Sequence, residues 1–229
     1  MKYFLRILTG MVLGVVISCD SSDEQQPDTG KEYFPLQTGL FQIYDVERTE
    51  YTLGVPTTEM YQLKTAVVDS FLNVDETYIY VIHRSSRISE ASPWSYIDTW
   101  SVRDASAEAV VNVGNFPVVS LKYPVSSGLS WNANVYNTRD EDEFTIESLN
   151  QQLSFGGTEF SDCLTVEQNN NEDFIVALDQ RKEIYARGIG LVYKDSTVLY
   201  YCTQPDCIGQ EIVEDGVIYK QSIKTYGME

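Results

Sequence analysis

The sequence is poor in histidine and in basic residues. It has one histidine, His83, and only 16 lysines and arginines against 34 aspartates and glutamates, which gives a formal charge of −18. A surface this acidic repels phosphate backbones, so we expect no nucleic acid partner. Catalysis or metal binding by His83 would need a second group beside it. We therefore expect His83 to be structural or part of the polar surface.

Recognisable catalytic motifs are also missing. The chain has no Gly-x-Ser-x-Gly elbow, no His-Glu-x-x-His helix and no phosphate-binding glycine loop. The stretch RGIGLV at residues 187–192 lacks the third glycine of a dinucleotide fingerprint and lies in a predicted strand. Its glycines therefore indicate a bulge or a close backbone approach. We expect no cofactor and assign no catalytic residue.

The apolar run at the start of the chain is too short to cross a bilayer. It covers residues 7–17 and follows Lys2 and Arg6, whereas a permanent transmembrane helix needs roughly 20 apolar residues. A basic start followed by a short apolar core is typical of a signal peptide, which we predict over residues 1–18.

The apolar run ends at a cysteine. Val16-Ile17-Ser18-Cys19 resembles the lipobox of bacterial lipoproteins. This resemblance implies cleavage before Cys19, diacylation of its thiol and acylation of the new amino terminus. Each buried methylene contributes about 0.8 kcal/mol, so two or three acyl chains hold a protein on a membrane for practical purposes permanently. The alternative is an ordinary secretory signal with an incidental cysteine.

Acidic residues follow Cys19 at once. Residues 20–24 (Asp-Ser-Ser-Asp-Glu) resemble the acidic stretch of cell-surface lipoproteins of the Bacteroidota, whereas Asp at this position in enterobacteria retains lipoproteins in the inner membrane. We favour a lipid-anchored protein of the outer membrane, displayed at the cell surface, with a periplasm-facing location as the alternative. Residues 19–32 are predicted to form the lipidated cysteine and a flexible acidic tether.

Period-two alternation dominates residues 33–229, which we predict to be a single all-β domain. Val119, Leu121 and Tyr123 alternate with polar residues, and Ile189, Leu191 and Tyr193 follow the same spacing. Turn signals separate the runs, among them Gly156-Gly157, residues 169–171 (Asn-Asn-Asn) and Asp215-Gly216. We expect a predominantly antiparallel fold with little helix, either barrel-like or a two-sheet sandwich.

Three cysteines remain after Cys19. Cys202 and Cys207 flank a turn-forming tetrapeptide, and a disulfide between them would contribute about 2 kcal/mol in the chain-entropy model. Cys163 is left over and is expected to be a small buried side chain. A zinc site made of these cysteines and His83 lacks close-set ligand pairs.

Aromatic and acidic clusters are the remaining candidates for a site. Trp94, Tyr96 and Trp100 lie together in PWSYIDTW, and such rings beside Asp can bind sugar or peptide, although rings in strands more often belong to a core or its rim. The acidic run at residues 140–143 lacks the spacing of a calcium loop, so we expect a solvated turn and no metal site.

Several segments resemble a group of Bacteroidota cell-envelope lipoproteins of unknown function. The likeness lies in YFPLQTGLFQIYDV near the start, PWSYIDTWSVR and GLSWNANVYNT in the middle, and EIYARGIGLVYK with GVIYKQSIKTYG near the end. It spans most of residues 33–227 and implies a single-domain surface lipoprotein, with no catalytic residues to carry over.

Three functions fit the sequence. The leading one is a non-enzymatic binding or structural accessory module, held on the membrane through acyl chains on Cys19, with a glycan, a peptide or an outer-membrane protein as its partner. The second is a cell-surface carbohydrate hydrolase, which requires two converging carboxylates. The third is a carrier of an apolar ligand, which requires an unfilled apolar cavity within the β structure.

Overall fold

The computed structural model describes residues 28–229. Cys19 and the acidic residues 20–24 lie outside the described residues. Within 28–229, the regular structure is a single turn of 3-10 helix, Lys31–Tyr33, and twelve strands. The strands are β1 Leu40–Thr52, β2 Val55–Leu72, β3 Tyr78–Arg87, β4 Ser95–Asp104, β5 Glu108–Val113, β6 Phe116–Lys122, β7 Ser130–Asn132, β8 Glu143–Phe155, β9 Thr158–Asp173, β10 Ala177–Ala186, β11 Gly190–Tyr201 and β12 Val213–Met228.

The twelve strands form one antiparallel sheet that curls into a barrel shape. Neighbours in the chain pair with each other, and β1 pairs with β12, so the sheet has the order β6-β5-β4-β3-β2-β1-β12-β11-β10-β9-β8-β7. The two edges also meet, because the Val119 amide donates to the Ala133 carbonyl at 2.9 Å and the Trp131 indole donates to the Val119 carbonyl at 2.8 Å. The predicted antiparallel all-β class is confirmed, in its barrel-like form.

Strand direction gives the barrel two distinct ends. We call the end at which β1 begins the lower end and the end at which β1 finishes the upper end. Because the sheet is an antiparallel meander, the odd-numbered strands run upward and the even-numbered strands run downward. The residues that precede β1 therefore lie at the lower end.

The segment before β1 is fixed to the lower end by one arginine. Arg187, between β10 and β11, pairs with Asp28 at 2.9 Å, with Glu32 at 3.0 Å and with Asp162 at 2.6 Å. Its guanidinium also lies 4.6 Å from the ring centre of the buried Tyr33. Burial and Asp162 raise the pKa of Tyr33 to about 12, so its hydroxyl stays protonated and bonded to that carboxylate.

Predictions of single faces and turns are correct only in part. In β6, Val119 and Leu121 are buried as predicted. In β11 the prediction of the more buried face is wrong, because Gly190 and Val192 are buried whereas Leu191 and Tyr193 are half-buried. One side of this strand faces the barrel interior. On its other side Phe155 stacks on Tyr193, with ring centres 4.8 Å apart. Both faces are thus covered, and alternation no longer marks a single core.

Two predicted turns lie inside strands. Residues 169–171 belong to β9, where the Asn169 amide donates to Asp179 at 2.9 Å. Gly216 belongs to β12 and has φ +128°, and a Cβ atom there would lie 2.2 Å from the Val198 carbonyl oxygen. Glycine is needed at position 216 for close backbone approach within the sheet, not for a turn. Gly156-Gly157 does connect two strands, as predicted.

Candidate functional site

A cavity of about 630 Å³ lies inside the barrel. Residues of every strand except β7, of the segment before β1 and of the connection between β7 and β8 line it, so the cavity follows the barrel interior rather than a surface groove. Ligand pockets in proteins have volumes of roughly 300–1,000 Å³. The interior is therefore large enough for a small organic ligand.

The lower part of the cavity is mainly apolar, with Gln42 and Thr65 as polar members of its wall. Phe34, Pro35 and Leu36 contribute from the segment before β1, and the sheet adds aliphatic side chains: Leu40, Val67, Val102, Val111 and Leu191. Water gains few hydrogen bonds from walls of this kind, so an apolar group is the better occupant of this part.

A buried carboxylate lies farther along the interior. Glu183 of β10 accepts a hydrogen bond from Lys194 at 2.7 Å and another from the hydroxyl of Tyr185. Burial works against ionisation of Glu183, but Lys194, Tyr185 and Gln168 outweigh it and lower its pKa below the usual value. Glu183 is therefore ionised and paired with Lys194, and it has no proton to donate.

Two tyrosines of the neighbouring strands β1 and β12 also line the interior. Tyr44 of β1 donates to the Leu191 carbonyl at 3.0 Å, and Tyr219 of β12 donates to Gln221 at 2.7 Å. Burial raises the pKa of both hydroxyls well above the usual value, while the positive charge of Arg84 opposes this effect at Tyr219. The charge on β3 thus acts on a side chain of β12 across the barrel interior.

An arginine on β10 is held by two carboxylates. Arg181 binds both oxygens of Asp142 at 2.9 Å, and its Nε donates to Asp179 at 2.6 Å. Asp142 belongs to the acidic run that was expected to form a solvated turn. That expectation is wrong for Asp142, which lines the cavity, whereas Asp140 and Glu141 are exposed.

Arg84 on β3 lies against an aromatic ring at the cavity wall. Its guanidinium carbon is 3.9 Å from the ring centre of Trp100, and its Nη1 donates to the two oxygens of Asp98 at 3.0 and 3.2 Å. Arg84 Nε is buried and has no hydrogen-bond acceptor among the described residues. A buried donor without an acceptor costs about 1–3 kcal/mol, so an oxygen atom placed in the cavity would relieve it.

The three aromatic residues singled out in the sequence occupy different environments. Trp100 lines the cavity. Tyr96 is 63% exposed and lies edge-to-face with His83, which is also exposed. Trp94 stacks beneath Arg87, with 4.3 Å from the guanidinium carbon to the ring centre. The structure therefore does not bring the three rings together.

Sequence reasoning missed the charged residues of the interior. Arg181, Glu183 and Tyr185 alternate along β10 and all line the cavity. A signal for them was present, since charged and hydrogen-bonding side chains at every second position of a strand indicate a polar inner wall. Their partners Asp142 and Lys194 lie on other strands and become neighbours only through the fold.

The remaining candidates are structural or lie outside the described residues. A disulfide joins Cys202 and Cys207, whose Cα atoms are 5.8 Å apart, and Cys163 is free and buried. Within residues 28–229, no cluster of three His, Cys, Asp or Glu side chains could hold a metal ion. No helix in that range is long and apolar enough to span a membrane.

The solved structures with a distant similarity to this chain include two bacterial proteins. The first is a Bacteroides fragilis protein described as exported, with a YmcC-like fold; it has 9% identity and a TM-score of 0.47, covering 85% of this chain and 98% of the other. The second is a Parabacteroides distasonis protein described as a lipoprotein, with 8% identity, a TM-score of 0.44 and the same coverage. Neither is similar enough to assign a family. No family model and no curated protein matches the chain.

Proposed function

We propose that this protein is a non-enzymatic binding protein of the cell envelope that holds a small, largely apolar molecule inside its barrel. The cavity of about 630 Å³ carries the proposal, because a barrel with more strands than the roughly eight whose interior side chains can fill has room to enclose a ligand. Of the three functions that fit the sequence, the proposal takes up the carrier of an apolar ligand.

The state of the interior carboxylates supports binding over hydrolysis. A glycoside hydrolase needs one carboxyl group that holds a proton and a second that is free to act as base or nucleophile. The two acids that line the cavity, Asp142 and Glu183, are engaged by Arg181 and by Lys194. The pKa of Glu183 is lowered, which is the wrong direction for a general acid.

The position of the amino-terminal segment fits a membrane-anchored carrier. Asp28 is bound to Arg187 at the lower end, so a tether of residues 19–32 that starts at an acylated Cys19 would reach the barrel there. The upper end of the barrel would then face away from the lipid. Anchoring through Cys19 and display at the outer membrane surface are part of this proposal.

Binding of a neutral apolar dye tests the proposal. We would use the full chain with Cys19→Ser, which removes the acylation site and the need for detergent, and titrate it with N-phenyl-1-naphthylamine. Ser196 lines the cavity beside Arg181 and Tyr219, so Ser196→Phe should reduce dye affinity by about tenfold or more because it occupies ligand volume.

Thr197→Phe is the matched control, since it adds the same ring to the next residue of β11, which does not line the cavity. We expect its dye affinity to equal that of the parent chain. Circular dichroism would show that both variants are folded. Absence of dye binding, or equal binding by both variants, would overturn the proposal.

A further inference from the structure

The lining of the cavity reverses the charge balance of the whole chain. Acidic residues outnumber basic ones by 34 to 16 in the sequence. Along the cavity the order is reversed, with four cations, Arg84, Arg139, Arg181 and Lys194, against two acids, Asp142 and Glu183. Cations thus outnumber acids along the cavity of a chain that is acidic overall.

The four cations differ in how many of their hydrogen-bond donors already have acceptors. Arg181 and Lys194 are held by Asp142, Asp179 and Glu183. Arg84 is held by Asp98 through Nη1 alone, which leaves its buried Nε without an acceptor. Arg139 is exposed, stacks on Phe116 with its guanidinium carbon 3.9 Å from the ring centre, and makes no ion pair within the described part of the chain.

Arg84 and its neighbour Trp100 lie on the upper side of the nearest cavity-lining aliphatic residues of their own strands. Arg84 follows Ile82 on the upward strand β3, and Trp100 precedes Val102 on the downward strand β4, so both lie above those aliphatic residues. Arg139 stacks on Phe116, and Phe116 is the first residue of β6, at the upper end of that strand. The segment of Phe34, Pro35 and Leu36 closes the opposite, apolar end.

We infer that the ligand is an anionic amphiphile, with an acyl or similar apolar chain toward the lower end and a carboxylate or phosphate head beside Arg84. This inference rests on the proposed function and names its ligand class. An ionised oxygen acceptor forms hydrogen bonds with guanidinium about twice as strong as those of a neutral acceptor. Asp98 binds Nη1 and leaves the buried Nε of Arg84 available for that head.

Ligands that share one chain length and differ only in the head group distinguish the contribution of the head to affinity from that of the tail. Displacement of the neutral dye from the full Cys19→Ser chain would be measured with dodecanoate, dodecyl phosphate, dodecanol and dodecyltrimethylammonium, each below its micelle concentration. We expect the two anions to bind about tenfold or more tightly than dodecanol, and the cation to bind most weakly. The stronger of the two anions identifies carboxylate or phosphate as the preferred head.

Arg84→Gln should remove the preference for the anions over dodecanol, because it removes the positive charge and the Nε donor beside the head group. Arg103→Gln is the control, because Arg103 has the same kinds of contact, a carboxylate of Glu108 at 3.4 Å and the ring of Tyr136 at 5.5 Å, but does not line the cavity. Its affinities should match those of the parent.

The outcomes separate this inference from the proposed function. Equal binding of dodecanol and the anions, or tightest binding of the cation, would overturn the anionic head and leave the apolar cavity intact. Loss of anion affinity in Arg103→Gln as large as in Arg84→Gln would also overturn it. Failure of the dye itself to bind would remove the proposed function.

Discussion

At the scale of single residues, charged side chains within strands decide what the barrel interior can hold. Glu183 remains ionised although buried, because Lys194, Tyr185 and Gln168 compensate for the lost water. A buried ion pair of this kind adds little net stability, but removal of one partner leaves the other uncompensated. Glu183 and Lys194 therefore act as a unit.

Glu183→Gln should lower the free energy of unfolding at pH 7 by about 2 kcal/mol, less than the roughly 3–5 kcal/mol of a fully buried pair, because Lys194 remains partly exposed. The folded pKa of Glu183 is lowered, and the unfolded value is about 4.3. Its contribution is present above that pH and is lost as the pH falls through the folded pKa.

Urea unfolding from pH 7 to pH 3 checks this expectation. The difference between wild type and Glu183→Gln should narrow below about pH 4, and a difference that stays constant with pH would contradict it. Glu172→Gln makes the same change at an exposed position of β9 and should be nearly neutral throughout.

At the scale of elements, the turn between β10 and β11 holds the lower end closed. Gly188 and Gly190 both have positive φ, +74° and +96°. A Cβ atom at Gly188 would meet nothing within 4 Å, whereas one at Gly190 would lie 2.7 Å from Gln42 Nε2 and 3.4 Å from Pro35 Cδ. Only Gly190 is needed for packing as well as for backbone conformation.

Gly188→Ala should lower the free energy of unfolding by about 1–2 kcal/mol, because alanine disfavours the left-handed backbone at this position. Gly190→Ala should cost about 1–3 kcal/mol more, because the added methyl group displaces Gln42 and Pro35 from the lower end of the cavity. Thermal and urea unfolding of the two variants would measure the difference. Equal destabilisation would show that the contact with Pro35 is unimportant.

The same turn shows how far sequence alone can predict an element. The close approach predicted for the glycines of RGIGLV is found at Gly190, but Gly188 lies in the connection between strands rather than within one. The nearest neighbours of Gly190 lie about 150 residues earlier in the chain, and alternation carries no information about them. Local patterns therefore predicted the strand and not its contacts.

At the scale of the whole molecule, the proposed anchor and the barrel can be tested separately. Cys19→Ser should move the protein from the membrane fraction to the soluble fraction, because the acyl chains would be missing. Fractionation and immunoblotting of cells of the native host would measure this, with Cys163→Ser, a change at the free buried cysteine, as the control that stays membrane-bound. Continued membrane association of Cys19→Ser would refute the anchor.

The sequence by itself determined the all-β class, through period-two alternation in short runs, because that pattern depends only on which face of each strand is buried. The resemblance of residues 16–19 to a lipobox likewise needs no fold, since it is a local pattern. Only the tertiary structure decided that the sheet curls into a barrel, that its interior stays open, and that Arg84, Arg181 and Glu183 line it. Those facts depend on pairing between β1 and β12 and on ion pairs between distant strands, which a linear pattern does not specify.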